Sequence, residues 1–240
     1  MSDLAILDLG RRPYQAVLAL QRNLVDQRRT GALEQDLLIL VEHDPVITLG
    51  RGTRASSLPR SAAELRQDGL EVAEVERGGD VTWHGPGQLV GYPIIDLTGH
   101  RQDLHWYLRQ LEEVVISALR PFGLDGLRVA GKTGVWTGGR KIASIGVHVR
   151  QWVTFHGFAL NVHPDLRAFD QIVACGIEGV DMTSVERELT LSGQRSGLGR
   201  ERLWQGVRDE VVRAMGTVFD RAPVPADPGL AEMAAVPLEP

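Results

Sequence analysis

The stretch that most limits how this chain can fold is Gly139 to Val162, which reads GRKIASIGVHVRQWVTFHGFALNV. Strand side chains alternate between the two faces of a sheet, and β-favouring residues run on both sides of Gln151-Trp152. Taking Gln151 and Trp152 as a two-residue hairpin turn sets the register. Gly146 then stands opposite Gly157, and Ser144 opposite Ala159. Lys141, Ala143, Ile145, Val147 and Val149 share one face, and Ile142, Ser144, Gly146, His148 and Arg150 the other. One face therefore carries a lysine among apolar residues, the other a row of small ones. Such a row either leaves space for a ligand or lets a helix pack closely, and both readings stand at this point.

Around this hairpin the pattern mixes strands and helices. Leu4 to Leu9 predicts a first strand, followed from about Pro13 by a helix with Val17, Leu20 and Leu24 on one face. The apolar run in Asp36 to His43 fits a strand buried on both faces, and Val46 to Leu49 a second one beyond Asp44-Pro45. Ser61 with Glu64 is a capping-box pattern for a short helix that Gly69 ends. Strands are expected at Glu71 to Glu76 and Gln88 to Leu97, then a long helix over Leu104 to Leu119 closed by Pro121. Short strands within Leu127 to Thr137 precede the hairpin, and a last helix carries Leu203, Val207, Val211, Met215 and Val218. Beyond Asp220 the chain holds five prolines and little pattern. The expected fold is α/β to α+β: a mixed central β-sheet with flanking helices in one domain over 1–220, with 221–240 a proline-rich, flexible tail.

Composition narrows the function. With 43% hydrophobic and 24% charged residues the 240-residue chain is ordinary for a globular protein. It has no apolar run of membrane-spanning length, and its start, MSDLAILDLGRR, lacks the order of a signal peptide, so a cytoplasmic protein without a membrane segment is expected. A net charge of -5 argues against general nucleic-acid binding. Cys175 stands alone, which excludes an internal disulfide framework, and His84, His148 and His156 lack metal-ligand spacing, so no metal is expected. No phosphate loop or dinucleotide fingerprint is present.

Arg77 to Leu97, RGGDVTWHGPGQLVGYPIIDL, packs five glycines and two prolines in front of a buried-strand pattern. It is either a surface turn or one wall of a site. Cys175 is followed by Gly176 and is either a small buried hydrophobe or a nucleophile; a nucleophilic thiol needs a base or cation nearby. Backbone N–H groups at Gly176 and in the Gly85 to Gly87 turn are candidate oxyanion donors.

Three segments together are specific. Arg77 to Pro93, Gly139 to Val162 and ACGIEGVDMTSV at Ala174 to Val185 resemble, in order and spacing, the lipoyl(octanoyl) transferase family. One departure is Ala174, where many members have proline. The resemblance implies a fold like the catalytic domain of biotin and lipoate protein ligases, Cys175 as the acyl-thioester nucleophile, and Lys141 as the group that activates its thiol. It implies that the acyl group lies against Arg77, Gly78, Gly79, Asp80, Val81, Thr82, Trp83 and His84, against Ser144, Ile145 and Gly146, and against Gly157, Phe158 and Ala159. The reaction it implies moves an octanoyl group, carried on the phosphopantetheine of acyl carrier protein, to a lysine of lipoyl domains in the 2-oxoacid dehydrogenases and the glycine-cleavage H protein. Neither ATP nor a metal is expected as cofactor, and the protein is expected to be a monomer. An ATP-dependent lipoate or biotin ligase and a non-catalytic acyl-carrier binding module are the alternatives.

Overall fold

The computed structural model describes residues 2–173, 179–193 and 199–233. Strand β1 (Ser2–Arg12) runs through Pro13 into helix α1 (Tyr14–Thr30), which Gly31 stops in the left-handed conformation at φ 81°. β2 (Asp36–His43) and β3 (Val46–Leu49) follow. Ser61 caps α2 (Ala62–Gln67): its hydroxyl accepts the Glu64 N–H at 3.3 Å, and the Glu64 carboxylate accepts the Ser61 N–H at 2.8 Å. Next come β4 (Glu71–Glu74), β5 (Val81–His84) and β6 (Gln88–Ile94). Asp103 caps α3 (Leu104–Leu119) by accepting the Trp106 N–H at 3.0 Å. β7 (Leu127–Val129), β8 (Lys132–Thr137), β9 (Arg140–Arg150) and β10 (Val153–Asn161) are consecutive. The chain ends with α4 (Val185–Leu191), α5 (Arg200–Phe219), β11 (Arg221–Pro225) and α6 (Pro228–Met233).

Eight strands form one mixed sheet in the order β11-β1-β2-β6-β10-β9-β8-β7, and β4-β3-β5 form a smaller one. The β9–β10 hairpin has the expected register, with Gly146 paired to Gly157 and Ser144 to Ala159. Gln151 and Trp152 take φ 48° and 66°, the left-handed pair of a type I′ turn, whose twist matches that of the strands it joins. Helices α3 and α5 cover one face of the large sheet, packing Leu111, Val115, Val207 and Val211 against Leu38, Leu40, Phe158 and Leu160. On the other face Val17, Leu20 and Leu24 of α1 pack on Leu37, Ile39 and Val90. The small sheet and α2 enclose a separate core around Ile47, Leu65, Val72, Val81 and Trp83.

Two expectations change. The glycine-rich stretch after Arg77 contains a strand of its own, β5, paired antiparallel to β3. The segment from Arg221 to Pro225, expected within a flexible tail, is the edge strand β11, parallel to β1. Prolines lower its apparent strand content, but an edge strand offers ladder hydrogen bonds on one side only, so Pro223 and Pro225 are tolerated there. Arg221 fastens it by donating to Asp36 at 3.3 Å. Residues 234–240 of that tail lie outside the described residues.

Candidate active site

A cavity of about 420 Å³ lies on the α1 side of the large sheet. The hairpin forms one wall with Ser144, Gly146, Gly157 and Ala159, together with Ile145 and Phe158. The stretch after Arg77 forms the facing wall with Arg77, Gly79, Asp80, Thr82 and His84. The exposed end is made by Gly131, Lys132 and Thr133, the buried end by Tyr14, Val90, Tyr92 and His156. Gly78, Val81 and Trp83 are absent from the lining. Alternation along β5 turns Val81 and Trp83 into the α2 core, while Gly78 donates its N–H to the Val147 carbonyl at 2.9 Å and pins the loop to the hairpin.

The row of small residues does two jobs. A Cβ at Gly146 would stand 2.8 Å from the Gly78 carbonyl oxygen, and one at Gly157 would stand 2.1 Å from that of Gly91. These glycines are small because protein backbone approaches them, and the cavity runs beside that contact rather than filling the whole row.

Polar residues of the facing wall hold the loops. The Arg77 guanidinium is buried and donates to the Thr48 carbonyl and hydroxyl, both at 2.8 Å, and to the Asp80 carbonyl at 2.7 Å. The Asp80 carboxylate accepts the Ser57 hydroxyl at 2.6 Å and the Val81 N–H at 2.7 Å. His84 stacks on Tyr14, with centroids 5.9 Å apart, and bonds through Nδ1 to Gln88 Oε1 at 2.7 Å. His43 lies behind it, 2.9 Å from the Tyr92 hydroxyl. Burial pushes His84 down to about 3 and His43 to about 4, and raises both the Tyr14 and Tyr92 phenols. The cavity end is thus lined by neutral rings.

A hydrogen-bond chain leads from there to Lys141. Gln88 Nε2 donates to Asn161 Oδ1 at 2.9 Å, and Asn161 Nδ2 to the Thr183 carbonyl at 2.9 Å. Thr183 N–H reaches the Lys141 carbonyl at 2.9 Å, and Lys141 N–H the Asp181 carbonyl at 2.8 Å. Lys141 is 1% exposed, with Nζ 5.2 Å from the Trp136 ring centroid. The β8–β9 register shifts here, pairing Val135 with Ala143 but Trp136 with Lys141. Ile142 is the extra residue of a bulge, and it joins Ala143 in the core under α3. Lys141 therefore leaves the alternation that placed it on the face of Ala143 and Val147. Gly134 makes room for it, since a Cβ there would lie 2.8 Å from Lys141 Cε. Gly134 directly follows Thr133, one of the residues that line the cavity.

Cys175 falls in 174–178, outside the described residues. Both flanks of that segment are tied to the site: Val173 N–H bonds the carbonyl of Ser57, which also binds Asp80, and Asp181 and Thr183 bond Lys141. The Gly85 to Gly87 turn does not supply its last amide to an oxyanion, because the Gly87 N–H is taken by Glu42 Oε1 at 2.7 Å. Tyr14, Gly131, Lys132 and Thr133 line the cavity without having been singled out by sequence. Val90, Tyr92 and His156 lay inside the family-like segments but were not named as lying against the acyl group. Among the described residues there is no group of three or more His, Cys, Asp or Glu placed to hold a metal ion, and no helix long and apolar enough to cross a membrane.

A mixed sheet with a largely apolar cavity against a hairpin, and a buried lysine on the same hairpin, defines an α/β domain built around a small-molecule site. The model of the Lipoyl protein ligase A/B catalytic domain matches residues 13–197, and the chain belongs to that family. It is 54% identical to an octanoyltransferase of Gloeobacter violaceus over 72% of this chain and 75% of that one. With an octanoyltransferase of a Nostoc species it shares 49% identity over 88% of this chain and 89% of that one. The fold matches lipoate-protein ligase A bound with ATP at a TM-score of 0.72 and 18% identity, covering 98% of this chain and 92% of that one.

Proposed function

We propose that this protein is an acyltransferase that moves an octanoyl group from a carrier thioester to a lysine side chain of a lipoyl domain, with Cys175 acylated in between. The observation that carries this reading is the cavity: the hairpin that carries the buried Lys141 also lines it with Ser144, Ile145, Gly146, Phe158 and Ala159, in a chain half identical to octanoyltransferases. Burial of an alkyl chain there is worth about 0.8 kcal/mol per methylene.

In the first half-reaction the Lys141 amine takes the Cys175 thiol proton and the thiolate attacks the thioester carbonyl. The carrier thiolate leaves and takes the proton from Lys141. In the second, the acceptor lysine amine attacks the acyl-Cys175 carbonyl, giving up a proton to Lys141, and the Cys175 thiolate departs and is reprotonated. One thioester is exchanged for another at little free-energy change, and the amide formed last is more stable, so no nucleotide enters the balance. The acyl donor is octanoyl-acyl carrier protein, the acceptors are lipoyl domains, and the enzyme acts as a monomer without metal or ATP.

Intact-mass measurement after incubation with octanoyl-acyl carrier protein, ATP omitted, tests this. The expected result is a single octanoyl adduct that Cys175→Ala lacks. An adduct in that variant refutes the nucleophile, and acylation that depends on added ATP supports a ligase instead.

A further inference from the structure

The deep end of the cavity contains one residue built unlike its neighbours. His156 is 1% exposed and lines the cavity, yet neither of its ring nitrogens has a hydrogen-bond partner among the described residues. Its Nε2 stands 3.5 Å from Glu76 Oε2, a loose ion-pair distance. Its backbone takes φ 56°, a left-handed value that costs energy for a residue with a Cβ and persists only where the surroundings impose it. Those surroundings are visible. The His156 N–H donates to Gln21 Oε1 of α1 at 2.8 Å, its ring stacks on Phe155 at 4.8 Å, and its residue pairs with Val147 across the hairpin.

Lys141 precedes the lining residues Ser144 to Gly146 on β9, and His156 lies beyond them, opposite Val147, so a carbonyl held beside Lys141 directs the methyl end of the chain toward His156. We propose that His156 sets the acyl chain length, its imidazole acting as the stop at the closed end of the cavity. This rests on the proposed acyl transfer. A chain that ends short of the ring gains free energy from every methylene placed along Val90, Phe158 and Ala159. Two further methylenes would have to push against an imidazole whose backbone is held by α1, and would seal its unpartnered ring nitrogens against apolar groups. His156 is in this account a specificity-determining residue and takes no part in the chemistry.

The test offers the full chain an equimolar mixture of eight-, ten- and twelve-carbon acyl-carrier thioesters and reads the adducts by intact mass. The eight-carbon adduct should dominate in the unaltered protein. His156→Gly removes the ring and relieves the left-handed backbone; it should raise the twelve-to-eight-carbon ratio about tenfold or more. His156→Ala, read in the same way, serves if the glycine variant does not fold. His156→Gln keeps bulk and polarity and should keep the original ratio. An unchanged ratio on removing the ring, equal relaxation in His156→Gln, or a folded His156→Gly protein that captures no chain would each overturn the assignment. Failure of the unaltered protein to form any adduct sinks the transferase reading instead. Thermal shifts with free octanoate and dodecanoate then decide the stop: a gain for dodecanoate in His156→Gly upholds it, and none overturns it.

Discussion

The two faces of the eight-stranded sheet use the same strands and enclose opposite interiors. Under α3 and α5 the packing is almost wholly apolar, with Leu111, Val115, Val207 and Val211 fully buried. Glu112 breaks that pattern where the sheet bulges around Lys141: its carboxylate pairs with Arg109 at 2.7 Å and accepts the Gly134 N–H at 3.2 Å. On the α1 face a similar apolar layer gives way, beside the cavity, to Tyr14, His43, Arg77, His84, Tyr92 and His156. Burying such groups forfeits their hydration, which internal hydrogen bonds only about offset, so this region contributes shape rather than stability. The apolar face holds the sheet; the polar face holds a cavity open beside it.

Acid should separate the two faces most strongly. His84 at about 3 and His43 at about 4 both sit below the ordinary 6.5, so below pH 6.5 the unfolded chain binds protons that the native protein refuses. Stability is then lost as pH falls, by about 1.4 kcal/mol per histidine per pH unit, or about 4 kcal/mol for both by pH 5. Urea unfolding at pH 7.5 and pH 5 measures this, and an unchanged midpoint would contradict neutral buried imidazoles. Leu111→Ala probes the other face: a loss of about 3 kcal/mol at neutral pH is expected, with octanoyl capture by the folded protein within about twofold of the original rate. A large fall in capture would mean that the faces are coupled.

Gly146→Ala lies on the boundary between core and cavity. Its new Cβ meets the Gly78 carbonyl at 2.8 Å and Arg77 Cδ at 3.1 Å, so a loss of about 1–3 kcal/mol should accompany slower acyl capture. Full stability with slow capture would restore the simpler picture of an open channel along the small-residue row. The smallest change in free energy is expected for Lys141→Ala, read as alkylation of Cys175 by iodoacetamide at pH 7. The rate should drop about tenfold, and identical kinetics would remove the lysine from the mechanism.

Much of this was legible because its signals are local. The hairpin register followed from alternation and a two-residue turn, and the Ser61 helix from a pattern three residues long. Val81 and Trp83 show what a motif leaves undivided: the RGGDVTWHG stretch matched as a block, but within strand β5 Thr82 and His84 line the cavity while Val81 and Trp83 pack in the α2 core. Its glycines concealed a strand whose alternation would have divided the block correctly. Tyr14 carried no cue, since its place depends on how α1 lies across the sheet.

The sequence by itself determined most of the element types, the mixed α/β class, the hairpin pairing and the family, all of which depend on neighbouring residues or on ordered motifs. Tertiary structure alone decided the bulge at Ile142 that redirects Lys141, the left-handed backbone at His156, the edge strand at Arg221 to Pro225, and the backbone contacts that require Gly146 and Gly157. Each of these arises where segments distant in the chain compete for the same space. Steric exclusion and hydrogen-bond satisfaction across that contact, rather than any local preference, then select the conformation.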